Sequence, residues 1–114
     1  MSSTVTSTWI QVSLGVFRSN YLVSIDLGLM TIVPCAFTPG LELLHPSTNQ
    51  WLKIEQHCTP LEDVVVFGDQ MLQEISMGLY PAAIHRVSKH VTSRLSLVYE
   101  LRPRAGFDIS TLLA

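Results

Sequence analysis

Cysteine and charge are both scarce in this chain. Two cysteines, Cys35 and Cys58, occur in 114 residues. That is too few for a disulfide framework, so a bridge-stapled secreted scaffold is excluded and a reducing, cytoplasmic setting is expected. Charged residues make up 14% of the chain, against about 25% in ordinary soluble domains, so solvating side chains are in short supply. Basic residues are not in excess: the net charge is -2, which gives no electrostatic reason to expect nucleic acid or a membrane surface as a partner. No apolar run is long enough to cross a bilayer, because the best one, 21–37, is interrupted by Asp26 and Pro34. The start has no basic region before an apolar core, as a secretory signal would. Residues 2–13 are rich in Ser and Thr and lack acids. That composition permits a transit peptide, but an atypical or frayed N-terminus over 1–13 is the plainer reading.

What is present is a series of short β-like runs punctuated by Gly and Pro, within the length of one domain. Strands are expected over 9–17, 29–33, 41–44, 51–55, 64–67, 82–87 and 94–101. Pro46-Ser47-Thr48-Asn49 reads as a turn that folds 41–55 into a hairpin, with Trp51 packing across it. Gly68-Asp69 ends a buried strand. Asp69 is placed to cap a short helix, 70–76, which stops at Gly78. This is an all-β, antiparallel pattern with one short helix, as in a jelly roll.

The most informative stretch is 85–103. Side chains alternate faces along a strand, so Ala83, His85 and Val87 share one face, and Arg94, Ser96, Val98 and Glu100 share another. A histidine on one strand and an Arg-x-Ser on the next can line one cavity. An imidazole can bind a metal. An arginine can grip a carboxylate through two parallel hydrogen bonds, with the serine hydroxyl adding a third. The combination suits a metal site that also holds a small organic acid.

His85, with Arg94 nine residues on and then Ser96, resembles the C-terminal motif of the iron(II)/2-oxoglutarate-dependent oxygenases, in the branch of isopenicillin N synthase-like and flavonoid- or gibberellin-type enzymes. Gly40-Leu41-Glu42, Gly68-Asp69, His85-Arg86-Val87 and Leu101-Arg102-Pro103 agree in order and spacing. The resemblance covers about residues 14–104, which corresponds to the C-terminal part of such enzymes, with 105–114 as a tail. It implies a partial double-stranded β-helix. It also implies Fe(II) and 2-oxoglutarate as cofactors, with ascorbate as a further one. The implied reaction is oxidation of a small organic substrate coupled to decarboxylation of 2-oxoglutarate.

The resemblance also assigns residues. Arg18-Ser19-Asn20-Tyr21 looks like the family's Arg-x-Asn-Tyr element, whose Asn or Tyr helps hold the co-substrate. Asp26 matches the carboxylate of the family's His-x-Asp metal motif, while Ser24 stands where that motif has its histidine. Such iron sites use two histidines and one carboxylate, and a neutral hydroxyl is a poor substitute for imidazole. The implied metal ligands are thus Asp26 and His85. Arg94 and Ser96, with Asn20 and Tyr21, are implied for 2-oxoglutarate. Asp26 admits a second reading as a turn residue capping Gly28, and His85 one as a hydrogen-bonded core histidine. His45, His57 and His90 read as surface residues, His57-Cys58 is not a catalytic pair, and Tyr80, Trp51 and Phe107 read as core or rim. With one ligand missing, the alternative is an inactive jelly-roll remnant that acts as an interaction module or small-acid binder. Unpaired strand edges predict self-association.

Overall fold

The computed structural model describes the backbone of residues 2–6, 10–18, 23–88 and 95–103, and side chains within 23–88 and 97–103. Eight strands and one short helix follow in the order β1 (Ser2–Thr6), β2 (Ile10–Arg18), β3 (Met30–Pro34), β4 (Leu41–Leu44), β5 (Trp51–Leu52), β6 (Val64–Gly68), α1 (Gln70–Ile75), β7 (His85–Val87) and β8 (Leu95–Pro103). One sheet has the order β1-β2-β8-β3-β6 and the other β5-β4-β7. All pairings are antiparallel. This is the expected all-β partial jelly roll with one helix. Among the described residues no helix is long and apolar enough to cross a membrane.

Period-two patterning explains how the sheets face one another. On β3, Thr31 and Val33 are buried while their neighbours are half-exposed. On β6, Val65 and Phe67 are buried while Val64 and Val66 are exposed. Val33, Leu41, Val65 and Phe67 form the core, with Leu43, Ile54, Cys58, Ala83 and Val98 packed against it. Leu41 and Leu43 come from the smaller sheet, where they pair with Val87 and His85. Burying each large apolar side chain contributes about 1.5–3 kcal/mol, so these contacts clamp the two sheets together. On the outer side of the smaller sheet, Arg86 bonds Glu42 at 2.7 Å and lies 3.8 Å above the Trp51 ring.

Three local expectations need correction. The strand expected over 51–55 stops at Leu52, and Ile54–His57 forms a 3-10 turn instead. The turn carries Glu55 inward, where its carboxylate accepts N–H bonds from Ala36, Gly40 and Leu41 at 2.8–3.1 Å. The strand expected from 82 begins at His85. The amides of Ala82 and Ala83 are drawn away to Gln73 Oε1 and the Gly68 carbonyl. Asp69 occupies the N-cap position of α1 by backbone, but its side chain makes no cap bond. That side chain bonds elsewhere. The helix ends at Ile75, and the left-handed turn that follows its cap spans Met77 (φ +55°) and Gly78 (φ +85°).

Candidate metal centre

Asp26 and Ser24 reach the site on a short extended segment, and His85 reaches it on β7. Ser24 and His85 form an antiparallel bridge, with both backbone bonds made: Ser24 N–H to the His85 carbonyl at 2.9 Å and His85 N–H to the Ser24 carbonyl at 3.0 Å. Directly opposed residues project to the same face. Asp26, two residues beyond Ser24, projects to that face as well. The segment is fixed from below by the start of α1, where the Gln70 and Met71 amides donate to the carbonyls of Asp26 and Gly28. Gly28 lies against β8 so closely that a Cβ there would sit 2.6 Å from the Leu101 carbonyl oxygen. A glycine is needed for this approach.

The side chains converge as the backbone directs. His85 Nε2 is 3.6 Å from Asp26 Oδ1 and 3.3 Å from Ser24 Oγ. The other ring nitrogen, Nδ1, is 3.2 Å from the Ala83 carbonyl oxygen. A carbonyl only accepts, so Nδ1 carries a hydrogen, and Nε2 is the ring nitrogen that faces Ser24 and Asp26. A metal-binding histidine oriented by a backbone carbonyl holds its ring in the same way. The ring packs on Phe67 with centroids 4.9 Å apart. The Asp26 carboxyl accepts a bond from Thr31 at 2.8 Å, and the Gly28 amide donates to Glu100 rather than to Asp26. The geometry therefore aims Asp26 at His85 instead of using its side chain as a turn cap.

Asp69 and Thr31 were not among the expected site residues. Both are only 1% exposed, and Thr31 Oγ1 lies 2.7 and 2.9 Å from the two Asp69 carboxyl oxygens. Burial pushes the Asp69 carboxyl up to about 6. The Thr31 bond opposes the rise, nearby Asp26 and Glu100 add to it, and His85 opposes it. The sequence held one signal, an acid directly after the strand 64–68, but that signal also fits a helix cap.

The donor set can be tested against a divalent ion. Metal bonds to imidazole nitrogen and carboxylate oxygen run about 2.0–2.2 Å, so one ion can touch two atoms 3.6 Å apart. Asp26 and His85 fit that requirement. The third position is held by the Ser24 hydroxyl, and among the described residues no group of three His, Cys, Asp or Glu side chains could hold a metal. The full two-histidine, one-carboxylate set is thus not met. Arg94, Asn20 and Tyr21 lie outside the described residues. Ser96 lies on β8, paired in register with Phe17, and its side chain is likewise outside them. Cys35 is a free, buried thiol. Burial, with help from Glu55 and Cys58, raises its pKa, which makes it a poor nucleophile.

No family model matches the chain. Over 90 residues it is 30% identical to gibberellin 3-beta-dioxygenase 1 of Oryza sativa subsp. japonica, a match covering 78% of this chain and 23% of that protein. It superposes on the Arabidopsis thaliana dioxygenase for auxin oxidation 1, solved as its 2-oxoglutarate binary complex, with a TM-score of 0.68 and 21% identity over 89% of this chain and 41% of the other. It also superposes on the dioxygenase for auxin oxidation of rice, with a TM-score of 0.56 and 20% identity over 82% of this chain and 33% of the other. The chain therefore spans less than half the length of each of these proteins.

Proposed function

Since this chain belongs to the 2-oxoglutarate-dependent oxygenases and spans part of their length, we propose that it is the stretch that holds the divalent iron through Asp26 and His85 and receives 2-oxoglutarate at Arg94 and Ser96. Asn20 and Tyr21 complete the co-substrate site in this reading. The observation that carries it is the approach of Asp26 Oδ1 to His85 Nε2, 3.6 Å across two separate backbone segments. Two further features support it. The His85 ring is held by the Ala83 carbonyl with Nε2 turned toward Asp26. Val98 of β8 packs on the core, and Ser96 and Arg94 continue the same i, i+2 series in the sequence.

When bound, iron with 2-oxoglutarate supplies oxidative chemistry toward a C–H bond of a small substrate, and the protein's part is to orient the groups. Asp26 offers a charged oxygen and His85 a neutral nitrogen. Phe67 shields one side of the imidazole. Ascorbate and a cytoplasmic setting belong to the same proposal. The substrate is a small organic molecule of a class that pocket residues outside this stretch would define.

Ser24 favours a second reading, in which the chain binds a small acid without turnover. A hydroxyl that donates to His85 Nε2 competes with a metal for that lone pair. One experiment separates the readings. Anaerobic Fe(II) and 2-oxoglutarate are added to the chain and to Ser24→His, and the visible charge-transfer band of the chelated keto acid is followed. The band is expected in both, at lower iron concentration in Ser24→His, and its loss is expected in Arg94→Ala. Oxygen-coupled succinate release then reports turnover. A chain that folds but gives no band in either form refutes the proposal, and a band without succinate favours the non-catalytic reading.

A further inference from the structure

The two sheets turn different surfaces outward. The smaller sheet carries an ion pair on its outer side, Arg86 with Glu42 at 2.7 Å, beside the Trp51 ring. The outer side of the larger sheet is apolar. Thr31, Val33, Val65 and Phe67 are buried on its inner face, and Val98 packs on the same core. Alternation therefore sends the intervening side chains of β3, β6 and β8 outward. Tyr99, Ile32 and Val66 stand in one cross-strand row, and Leu101 and Met30 in the next. Val64 and Leu97 extend the patch and are 55% and 44% exposed, with Val66 at 47%. On β2 the positions in register with Leu97, Tyr99 and Leu101 are Val16, Leu14 and Val12. No Asp, Glu, Lys or Arg stands at any of these positions.

A sheet with one face in water alternates apolar-in with polar-out, whereas apolar residues on both faces mark a sheet covered on both sides. β3 and β6 follow the second pattern. With about 3.3 Å per residue and about 4.8 Å between strands, the five strands span a face of roughly 500 Å². Monomers leave apolar patches of about 300–600 Å² open at most. Two such faces stacked remove roughly 1,000 Å² from water, the size at which an interface becomes specific. The face suits a copy of itself. It holds no charge, so no like charges meet across the contact. It offers no basic cluster to a membrane headgroup. Sheets stack face to face about 10 Å apart with strands within about 30° of each other, so one twofold axis covers both copies at once.

We propose that the outer face of the larger sheet, centred on Tyr99 and Ile32, is an interface on which a second copy of this chain stacks face to face. Side chains make the contact, so it differs from strand addition at the β6 edge. It leaves the Asp26–His85 side open, because Thr31, which bonds Asp26, lies on the inner face. Dimerisation in this form needs no metal.

Sedimentation velocity over a concentration series up to about 100 µM reads the association, since interfaces of this size span micromolar and tighter affinities. A dimer is expected. Leu97→Lys places a charge on β8, the middle strand of the sheet and two strands from the β6 edge. It should raise the dissociation constant by about 10-fold or more, because the dimer buries that position twice. Leu52→Lys, on the smaller sheet and 40% exposed, should leave the constant unchanged. Far-UV circular dichroism verifies the fold of both variants. An equal mixture of isotope-labelled and unlabelled chain needs no variant: intermolecular NOEs are expected among Leu97, Tyr99, Ile32 and Val66. A monomer across the whole series overturns the proposal and leaves the face to another cover, such as an amphipathic helix. A dimer that Leu97→Lys weakens no more than Leu52→Lys overturns it too. So do intermolecular NOEs confined to the β6 backbone, which would assign the association to the edge.

Discussion

Replacing Asp69 by asparagine should make the protein more stable at neutral pH and leave it nearly unchanged in acid. Asp69 is 1% exposed, and burial raises its carboxyl from 3.8 to about 6. A folded-state pKa above the unfolded value means the native state binds the proton more tightly. The stability this contributes is fully present below about pH 4 and is lost as pH rises through about 6. A separation of a little over two units corresponds to ~3 kcal/mol, of which about 2 kcal/mol falls between about pH 4.5 and 7.5. Asparagine is a neutral isostere that can still donate to Thr31. It should therefore remove this slope and add about 2–3 kcal/mol at about pH 7.5 relative to the parent. Urea unfolding followed by tryptophan fluorescence at the two pH values measures the difference. A difference between Asp69→Asn and parent that does not change with pH refutes the reasoning. So does a loss of stability that grows toward neutral pH, because it would mean that the fold favours the Asp69 anion.

Two further outcomes follow from other parts of the structure. Glu55→Ala strips three backbone amides of their acceptor. It should cost about 3 kcal/mol or more, since each buried unpaired group costs roughly 1–3 kcal/mol, and a thermal melt that barely moves would show water replacing the carboxylate freely. β6 ends its sheet with Val64 and Val66 exposed, so the chain should self-associate through this edge. Size-exclusion chromatography should show a larger species that Val66→Lys reduces, and a monomer at high concentration in the parent contradicts it.

Much of the fold was legible because it depends on local alternation. The run of β-branched valines closed by Gly68 marks β6 without help from any partner, though only the structure shows that Val64 and Val66 on its other face are exposed. The failures share one cause. Glu55 reads as the end of a strand because nothing near it in sequence shows that the Ala36, Gly40 and Leu41 amides need an acceptor. Asp69 reads as a helix cap because capping is the local use of an acid there, while Thr31 lies 38 residues away. A polar side chain takes the strongest partner in space, and sequence shows only the neighbours in line.

The Asp26–His85 pair divides the same way. The sequence alone determined the chemical types, a hydroxyl at 24, a carboxylate at 26 and an imidazole at 85, because covalent identity fixes what each group can donate or accept. Only tertiary structure decided that these three meet. The Ser24–His85 bridge sets them on one face, Ala83 chooses which ring nitrogen carries the hydrogen, and Thr31 with Asp69 reaches the carboxylate from behind. The Ser24–His85 and Thr31–Asp69 contacts span 61 and 38 residues. They exist because packing two sheets on a common apolar core fixes distances that no local pattern encodes.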